Sequence, residues 1–214
     1  MKEVAAILLA AGRSRRMGAF KPLLPFGSQT VIQSCITNLR TAGVKEIVVV
    51  TGHRGDEVRA HLSAAKVSFA LNSDRNTPMS VSIARGTEQL DPAAAAVLIA
   101  LVDQPAIPAE TIRAIIEAWR RGALLVQPEH HGRGGHPVVI DMKYRDELRH
   151  LNPDLGLREF FQQHRRDTQR LPVASPYISC DMDTWEDYLG LHKDVFGRLP
   201  DVEIGRFPQE FGDL

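Results

Sequence analysis

Leu8-Leu9-Ala10-Ala11-Gly12-Arg13-Ser14-Arg15-Arg16-Met17-Gly18-Ala19-Phe20-Lys21-Pro22-Leu23-Leu24-Pro25 decides how this chain is read. An apolar run over residues 4–9 leads into it and has the make-up of a buried strand. Two alanines and a glycine then turn the chain. Glycine admits backbone turns that other residues resist and lets main-chain N–H groups approach a ligand closely. A curled backbone with several N–H groups pointing inward is an anion nest. Arg13, Arg15, Arg16 and Lys21 add four cations within nine residues. Such a loop, straight after the first strand, suits a polyphosphate. Pro22 fixes the backbone beside Lys21. A compact ammonium there can neutralise an α- or β-phosphate as negative charge moves to a leaving pyrophosphate.

The familiar phosphate loops do not fit. The dinucleotide fingerprint needs G-x-G-x-x-G and the P-loop needs G-x-x-x-x-G-K-[ST]. Here five residues separate Gly12 from Gly18, and no Lys-Ser/Thr pair follows. Dinucleotide dehydrogenases and P-loop NTPases are disfavoured. Read on composition alone, the stretch is a surface loop solvated by arginines.

The 214 residues are enough for one domain with a full core. Lys plus Arg and Asp plus Glu both total 26, so the arginines form a local site and not a global field. That excludes non-specific nucleic-acid binding, which needs a large positive excess. Cys35 and Cys180 have neither zinc nor redox spacing, and two cysteines suit a reducing compartment. No signal peptide and no apolar stretch of membrane length is visible. The expectation is a cytoplasmic protein without membrane or nucleic-acid partners.

Apolar strands alternate with helical patterns. Strands are expected at 4–9, 46–51, 67–71, 94–102 and 124–127, and helices at 29–41, 56–64, 79–90 and 109–121. Unbroken runs such as Val48-Val49-Val50 suit a parallel sheet covered on both faces. This rhythm predicts a doubly wound, mostly parallel α/β sheet. After residue 128 the rhythm changes. A short antiparallel strand at a sheet edge is expected at 138–141, helices near 143–151 and 157–165, strands at 169–173 and 178–181, and a last helix from 184 to 191. The domain is drawn as residues 1–193, with 194–214 an added tail. In doubly wound sheets ligands bind outside the carboxyl ends of the strands. Gly12, Gly52, Asn72 and Asp103 fall at such ends and converge on one crevice.

Asp103 closes an apolar strand inside Leu101-Val102-Asp103-Gln104-Pro105. A carboxylate at a strand end in a phosphate crevice is a natural Mg²⁺ ligand, because Mg²⁺ takes one or two carboxylates plus phosphate oxygens and water. Capping the next helix is not its sole role, since Pro105 and Pro108 intervene. Asp181, Asp183, Glu186 and Asp187 form a second acidic cluster. Helix capping by Asp183 or Thr184 accounts for part of it. His130, His131 and His136 lack the spacing and the carboxylate partner of a metal site. No Ser-His-Asp or Cys-His nucleophile set is present, so no covalent intermediate is expected.

The opening motif, Leu-Ala-Ala-Gly-x-Ser-x-Arg-Met-Gly followed by Lys and Leu-Leu, resembles that of the molybdenum cofactor nucleotidyltransferases, within the nucleoside-triphosphate transferase superfamily. The resemblance spans roughly residues 4–190 and implies a Rossmann-like nucleotidyltransferase fold. It implies that Leu9, Ala10, Ala11, Gly12, Arg13, Ser14 and Lys21 bind the nucleotide, with Arg16, Lys21 and Asp103 catalytic. Asp103-Gln104-Pro105 resembles the family's metal turn. Asp181-x-Asp183-Thr184-x-x-Asp187 resembles the segment that closes the metal site, which implies Mg²⁺ on Asp103 and Asp183. Asn72, Met79 and Ser82 match a further nucleotide-binding segment, with Pro78 where the family has glycine. Gly135-His136-Pro137 and Asp154-x-Gly156-x-Arg158 resemble segments facing the acceptor, with Pro153 again replacing glycine. Gly135, His136 and Arg158 are thus expected to bind the acceptor. Ala-Ala-Gly together with Gly-His-Pro is closer to the cytidylyl branch than to the guanylyl branch. The resemblance implies CTP as donor, molybdopterin as acceptor, and transient contact with a molybdoenzyme or its chaperone. A transferase using GTP or acting on a sugar or alcohol phosphate, and a non-catalytic cofactor-binding module, stay open.

Overall fold

The computed structural model describes residues 3–12, 16–73 and 78–201. In chain order the elements are β1 (Val4–Ala10), β2 (Pro25–Phe26), β3 (Gln29–Thr30), α1 (Val31–Thr41), β4 (Glu46–Thr51), α2 (Gly55–His61), β5 (Ser68–Leu71), α3 (Met79–Gln89), β6 (Ala96–Leu101), α4 (Ala109–Arg120), β7 (Leu125–His130), β8 (Arg133–Gly134), β9 (Val138–Asp141), α5 (Arg145–Arg149), α6 (Gly156–Gln163), β10 (Thr168–Pro172) and α7 (Trp185–Phe196). Short 3₁₀ turns stand at Lys21–Leu23, Met142–Tyr144 and Pro176–Ser179. No helix among the described residues is long and apolar enough to cross a membrane.

The main sheet runs β10-β7-β9-β6-β1-β4-β5, with β8 added beside β7. β1 pairs in parallel with both β4 and β6, and β10 pairs in parallel with β7. Side chains of a strand alternate between the two faces of a sheet. In β1, Val4, Ala6, Leu8 and Ala10 join one core and Ala5, Ile7 and Leu9 the other. β4 divides likewise, Ile47 and Val49 against Val48 and Val50. Both faces are therefore apolar, as the unbroken runs require. The first core is roofed by residues of α1, α4 and α7, the second by residues of α3, α5 and α6.

Two expectations are corrected. The antiparallel strand 138–141 does not lie at an edge. β9 sits between β6 and β7 and is antiparallel to both. Its Val138, Val139 and Ile140 are buried as an interior strand requires. The strand expected at 178–181 is absent. Pro176 opens a 3₁₀ turn, and Ile178 and Met182 are both fully buried anchors. The last helix, expected over 184–191, runs on to Phe196, whose ring meets Phe26 edge-on at 4.9 Å.

Helix α7 clamps the hairpin that follows Lys21. Tyr188 is fully buried and its hydroxyl donates to the Pro25 carbonyl at 2.6 Å. His192 Nε2 accepts from Gly27 N at 3.2 Å. Removing one such hydroxyl costs about 1 kcal/mol net. Tyr188→Phe is expected to lower the melting temperature by about 3 °C in a chain of this size, as thermal denaturation will show.

Candidate active site

The parallel strands end on one rim, and the site is built there. The Val102 amide donates to the Leu9 carbonyl at 3.1 Å, which ties the exit of β6 to β1. The turn after β4 lies against the turn after β1: a Cβ on Gly52 would sit 2.8 Å from the Ala11 carbonyl oxygen. Leu9 and Ala10 are buried, Ala11 is half-buried and Gly12 is exposed. Gly12 does not use left-handed backbone. What it contributes is room, since a Cβ there would meet nothing within 4 Å. Arg13, Ser14 and Arg15 lie outside the described residues.

Lys21 is buried, in the 3₁₀ turn that ends at Leu23. Its Nζ donates to Asp183 Oδ1 at 2.8 Å and lies 4.0 Å from Asp103 Oδ2. Arg16, exposed, donates from Nη1 to Asp183 Oδ2 at 2.8 Å. Residues separated by 162 positions thus share one ion-paired cluster. A backbone bond brings them together: the Met182 amide donates to the Asp103 carbonyl at 3.0 Å. Met182 plugs the core and aims its neighbours at the rim. Thr184, not Asp183, caps α7, and Asp187 closes the capping box. The Asp183 carboxylate is thereby left to face the cations. The Lys21 hydrogen bond and charge, with Arg16 beside it, hold that carboxyl below its usual range.

Asp103 is shifted the other way. Burial pushes its carboxyl up to about 6, against the pull of Lys21, and the charges of Asp181 and Asp183 add to the rise. Its Oδ1 is buried with no hydrogen-bond partner. Buried oxygens in proteins nearly always have a partner, and this one is left open to accept a ligand. Two carboxylates, one of them with an unpartnered oxygen, suit a hard divalent ion that completes its shell with phosphate and water. Among the described residues no group of three or more His, Cys, Asp or Glu is placed to hold an ion. His130 instead meets the Val173 carbonyl through Nδ1 at 2.9 Å.

Sequence reasoning missed Gln104. It is buried, and its Nε2 donates to Asp181 Oδ1 at 2.8 Å and to the Ile178 carbonyl at 3.3 Å. Asp181 is thus held by an amide and not by the Lys21 cluster. The Ile178 carbonyl also accepts from His136 N at 2.9 Å. Gln104 therefore joins the Asp103 strand end to the His136 turn. Burial keeps the His136 imidazole below its usual value, opposed by the charge of Asp181.

His136 lines a cavity of about 570 Å³ with Gln127, Val138, Leu157, Arg158, Phe161, Gln162, Arg165, Thr168 and Arg170. Of the residues expected to face the acceptor, His136 and Arg158 meet here, and Gly135 packs behind them against Ile178. Arg165, in the turn after α6, and Arg170, on β10, escaped notice, because basic residues in such places look like a solvated face. Arg170 Nη1 is paired with Glu129 at 2.7 Å. On the other side of β1, Asn72 Nδ2 donates to Ser82 Oγ at 2.9 Å, both buried. Pro78 takes the N-cap position of α3, where its φ of −60° is suitable.

Residues 6–168 match the MobA-like NTP transferase domain. The chain belongs to the MobA-like NTP transferase family. It is a nucleotidyltransferase of that family, as the opening motif led us to expect. It is 29% identical over 190 residues to the Molybdenum cofactor cytidylyltransferase of Escherichia coli (strain K12), covering 88% of this chain and 95% of that one. It is 28% identical over 194 residues to the Nicotine blue oxidoreductase of Paenarthrobacter nicotinovorans, covering 86% of this chain and 93% of that one. Among solved structures it is similar to Rv0371c from Mycobacterium tuberculosis H37Rv, with a TM-score of 0.81 and 26% identity over 90% of this chain and 98% of that one. A manganese complex of Rv0371c aligns with a TM-score of 0.77 at 25% identity, over the same shares of the two chains.

Proposed function

We propose that this MobA-like transferase moves CMP from CTP onto a phosphorylated acceptor of the molybdopterin type and releases pyrophosphate. The observation that carries the reading is the Lys21–Asp103–Asp183 cluster on the rim, joined through Gln104 and Asp181 to the cavity of His136 and Arg158. The cytidylyltransferase relative supports CTP and this acceptor class.

In this reading the triphosphate lies against the backbone of Ala10, Ala11 and Gly12, where N–H groups reach phosphate oxygens. Asn72 and Ser82 fix each other and shape the wall beside the nucleoside. Asp103 and Asp183 would hold Mg²⁺. When bound, that ion supplies neutralising charge to the phosphates. Lys21 donates to the phosphate oxygens on which charge grows as the bond to pyrophosphate breaks. The acceptor is held by its anionic groups on Arg158, Arg165 and Arg170, against the apolar faces of Leu157 and Phe161. Its phosphate oxygen then faces the α-phosphorus. Positioning and charge stabilisation are the protein's main contribution to such transfers.

The test is a panel of CTP and GTP with molybdopterin, a sugar phosphate and an alcohol phosphate, with Mg²⁺, scored for pyrophosphate release. CTP with molybdopterin is expected to turn over fastest, and Lys21→Ala to slow it by about a hundredfold or more. Tight molybdopterin binding without pyrophosphate from any pair would overturn the reading in favour of a binding module.

A further inference from the structure

Both oxygens of Asp183 hold a cation, Oδ1 that of Lys21 at 2.8 Å and Oδ2 that of Arg16 at 2.8 Å. Lys21 also stands 4.0 Å from Asp103 Oδ2, between the two carboxylates. A divalent ion placed on this pair meets repulsion from both cations. The remaining described residues offer it little help, since no third acidic, His or Cys side chain completes a metal-holding group. An ion of the Mg²⁺ class needs oxygens from elsewhere, and phosphate is the usual source.

We propose that Arg16 and Lys21 keep the divalent-ion seat closed until a triphosphate arrives, so that ion and nucleotide enter together by exchange of ion-pair partners. The inference rests on the reading of Asp103 and Asp183 as metal ligands. The incoming phosphates draw the guanidinium and the ammonium away from Asp183. The freed carboxylate then joins Asp103 around the ion. Asp183 exchanges hydrogen bonds from two single charges for one double charge, and the phosphates take up the two cations. Arg16 can make the exchange by side-chain rotation, because 76% of its side chain is exposed. Lys21 is buried, and its Nζ has only to shift its hydrogen bonds within the cluster. By linkage, ion and nucleotide raise each other's affinity by the same factor. The site then stays closed to free divalent ions when no nucleotide is at hand.

Mn²⁺ is the probe, titrated into the whole chain and followed by the electron paramagnetic resonance of the free ion. The proteins are the wild type, Arg16→Gln, Arg16→Lys and Asp183→Asn, each with and without α,β-methylene-CTP, which cannot transfer its nucleotidyl group. Water-proton relaxation separates Mn²⁺ held in a ternary complex from Mn²⁺ held by the analogue alone. The wild type is expected to bind the bare ion weakly, Arg16→Gln at least fivefold more tightly, and Arg16→Lys as weakly as the wild type. With the analogue, the wild type forms the ternary complex and Asp183→Asn does not. If the wild type takes up bare Mn²⁺ as tightly as Arg16→Gln while the ternary complex still forms, the seat is not held closed and the inference fails alone. If neither protein takes up Mn²⁺ with or without the analogue, the metal-ligand reading falls and the inference with it.

Discussion

Asp103→Asn is expected to abolish pyrophosphate release and at the same time to raise the melting temperature of the protein measured without nucleotide or metal. The two effects share a cause. The carboxylate is partly buried, has one oxygen without a partner, and stands near Asp181 and Asp183, with Lys21 and a backbone hydrogen bond in partial compensation. Its folded-state value is pushed from the ordinary 3.8 to about 6. A raised value means that the folded chain holds this proton more tightly than the unfolded chain. The stability that the proton lends is fully present below about pH 4 and is lost as pH rises through 6. At neutral pH the ionised group therefore destabilises the fold by about 3 kcal/mol. Asparagine keeps the shape and removes the charge, so the melting temperature is expected to rise by about 6 to 12 °C at pH 7 to 8. The difference from wild type closes as pH falls from 6 to 4. On the proposed function turnover is expected to fall by about a thousandfold or more, since the charge that destabilises the resting protein is the one that would hold the metal ion. Paired melts across pH 4 to 8, with the pyrophosphate assay alongside, check both halves. Equal melting temperatures at pH 8 would contradict the account of Asp103.

Much of this arrangement was legible in the chain, for reasons that differ from part to part. The parallel strands were visible because a strand buried on both faces cannot alternate, and Ile47-Val48-Val49-Val50 does not. The convergence of Gly12, Gly52 and Asp103 followed from the rule that such sheets bind at their carboxyl rim. Asp183 was reachable only through the family motif, since nothing local says that it meets Lys21. The order of strands was not legible at all. A short apolar run such as 138–141 reads the same at an edge or in the interior, and only its partners decide. Residues 178–181 deceived in another way: Ile178 and Met182 are apolar because they anchor a turn, not because they line a strand. Gln104 carried no signal either. Its role exists only once the chain has brought Asp181 and the Ile178 carbonyl to the same amide.

The glycines of the site separate into those the fold needs and those a ligand needs, and Gly135→Ala is the sharpest case of the first kind. A Cβ at Gly135 would stand 2.0 Å from the Ile178 carbonyl oxygen and 2.6 Å from its carbon. Neither partner can step aside cheaply. The Gly135 amide is bonded to the Pro128 carbonyl at 3.0 Å, and the Ile178 oxygen holds both His136 N and Gln104 Nε2. Relief requires the backbone to part there, which costs about 3 kcal/mol or more. A fall of about 10 °C in melting temperature is expected, with loss of acceptor-dependent turnover, because His136 and Asp181 are placed through the same carbonyl. Gly12→Ala is the control. Its Cβ meets nothing, and its backbone is outside the left-handed region. The melting temperature should therefore hold or rise slightly, as the unfolded chain loses freedom. Triphosphate affinity should nevertheless fall about tenfold, because the added methyl stands where a phosphate is expected to approach the backbone. Melting curves and nucleotide titrations on the two variants separate the roles. Gly12→Ala with unchanged triphosphate affinity would remove the phosphate from that turn, and Gly135→Ala with an unchanged melting temperature would show that the Ile178 contact is not obligatory.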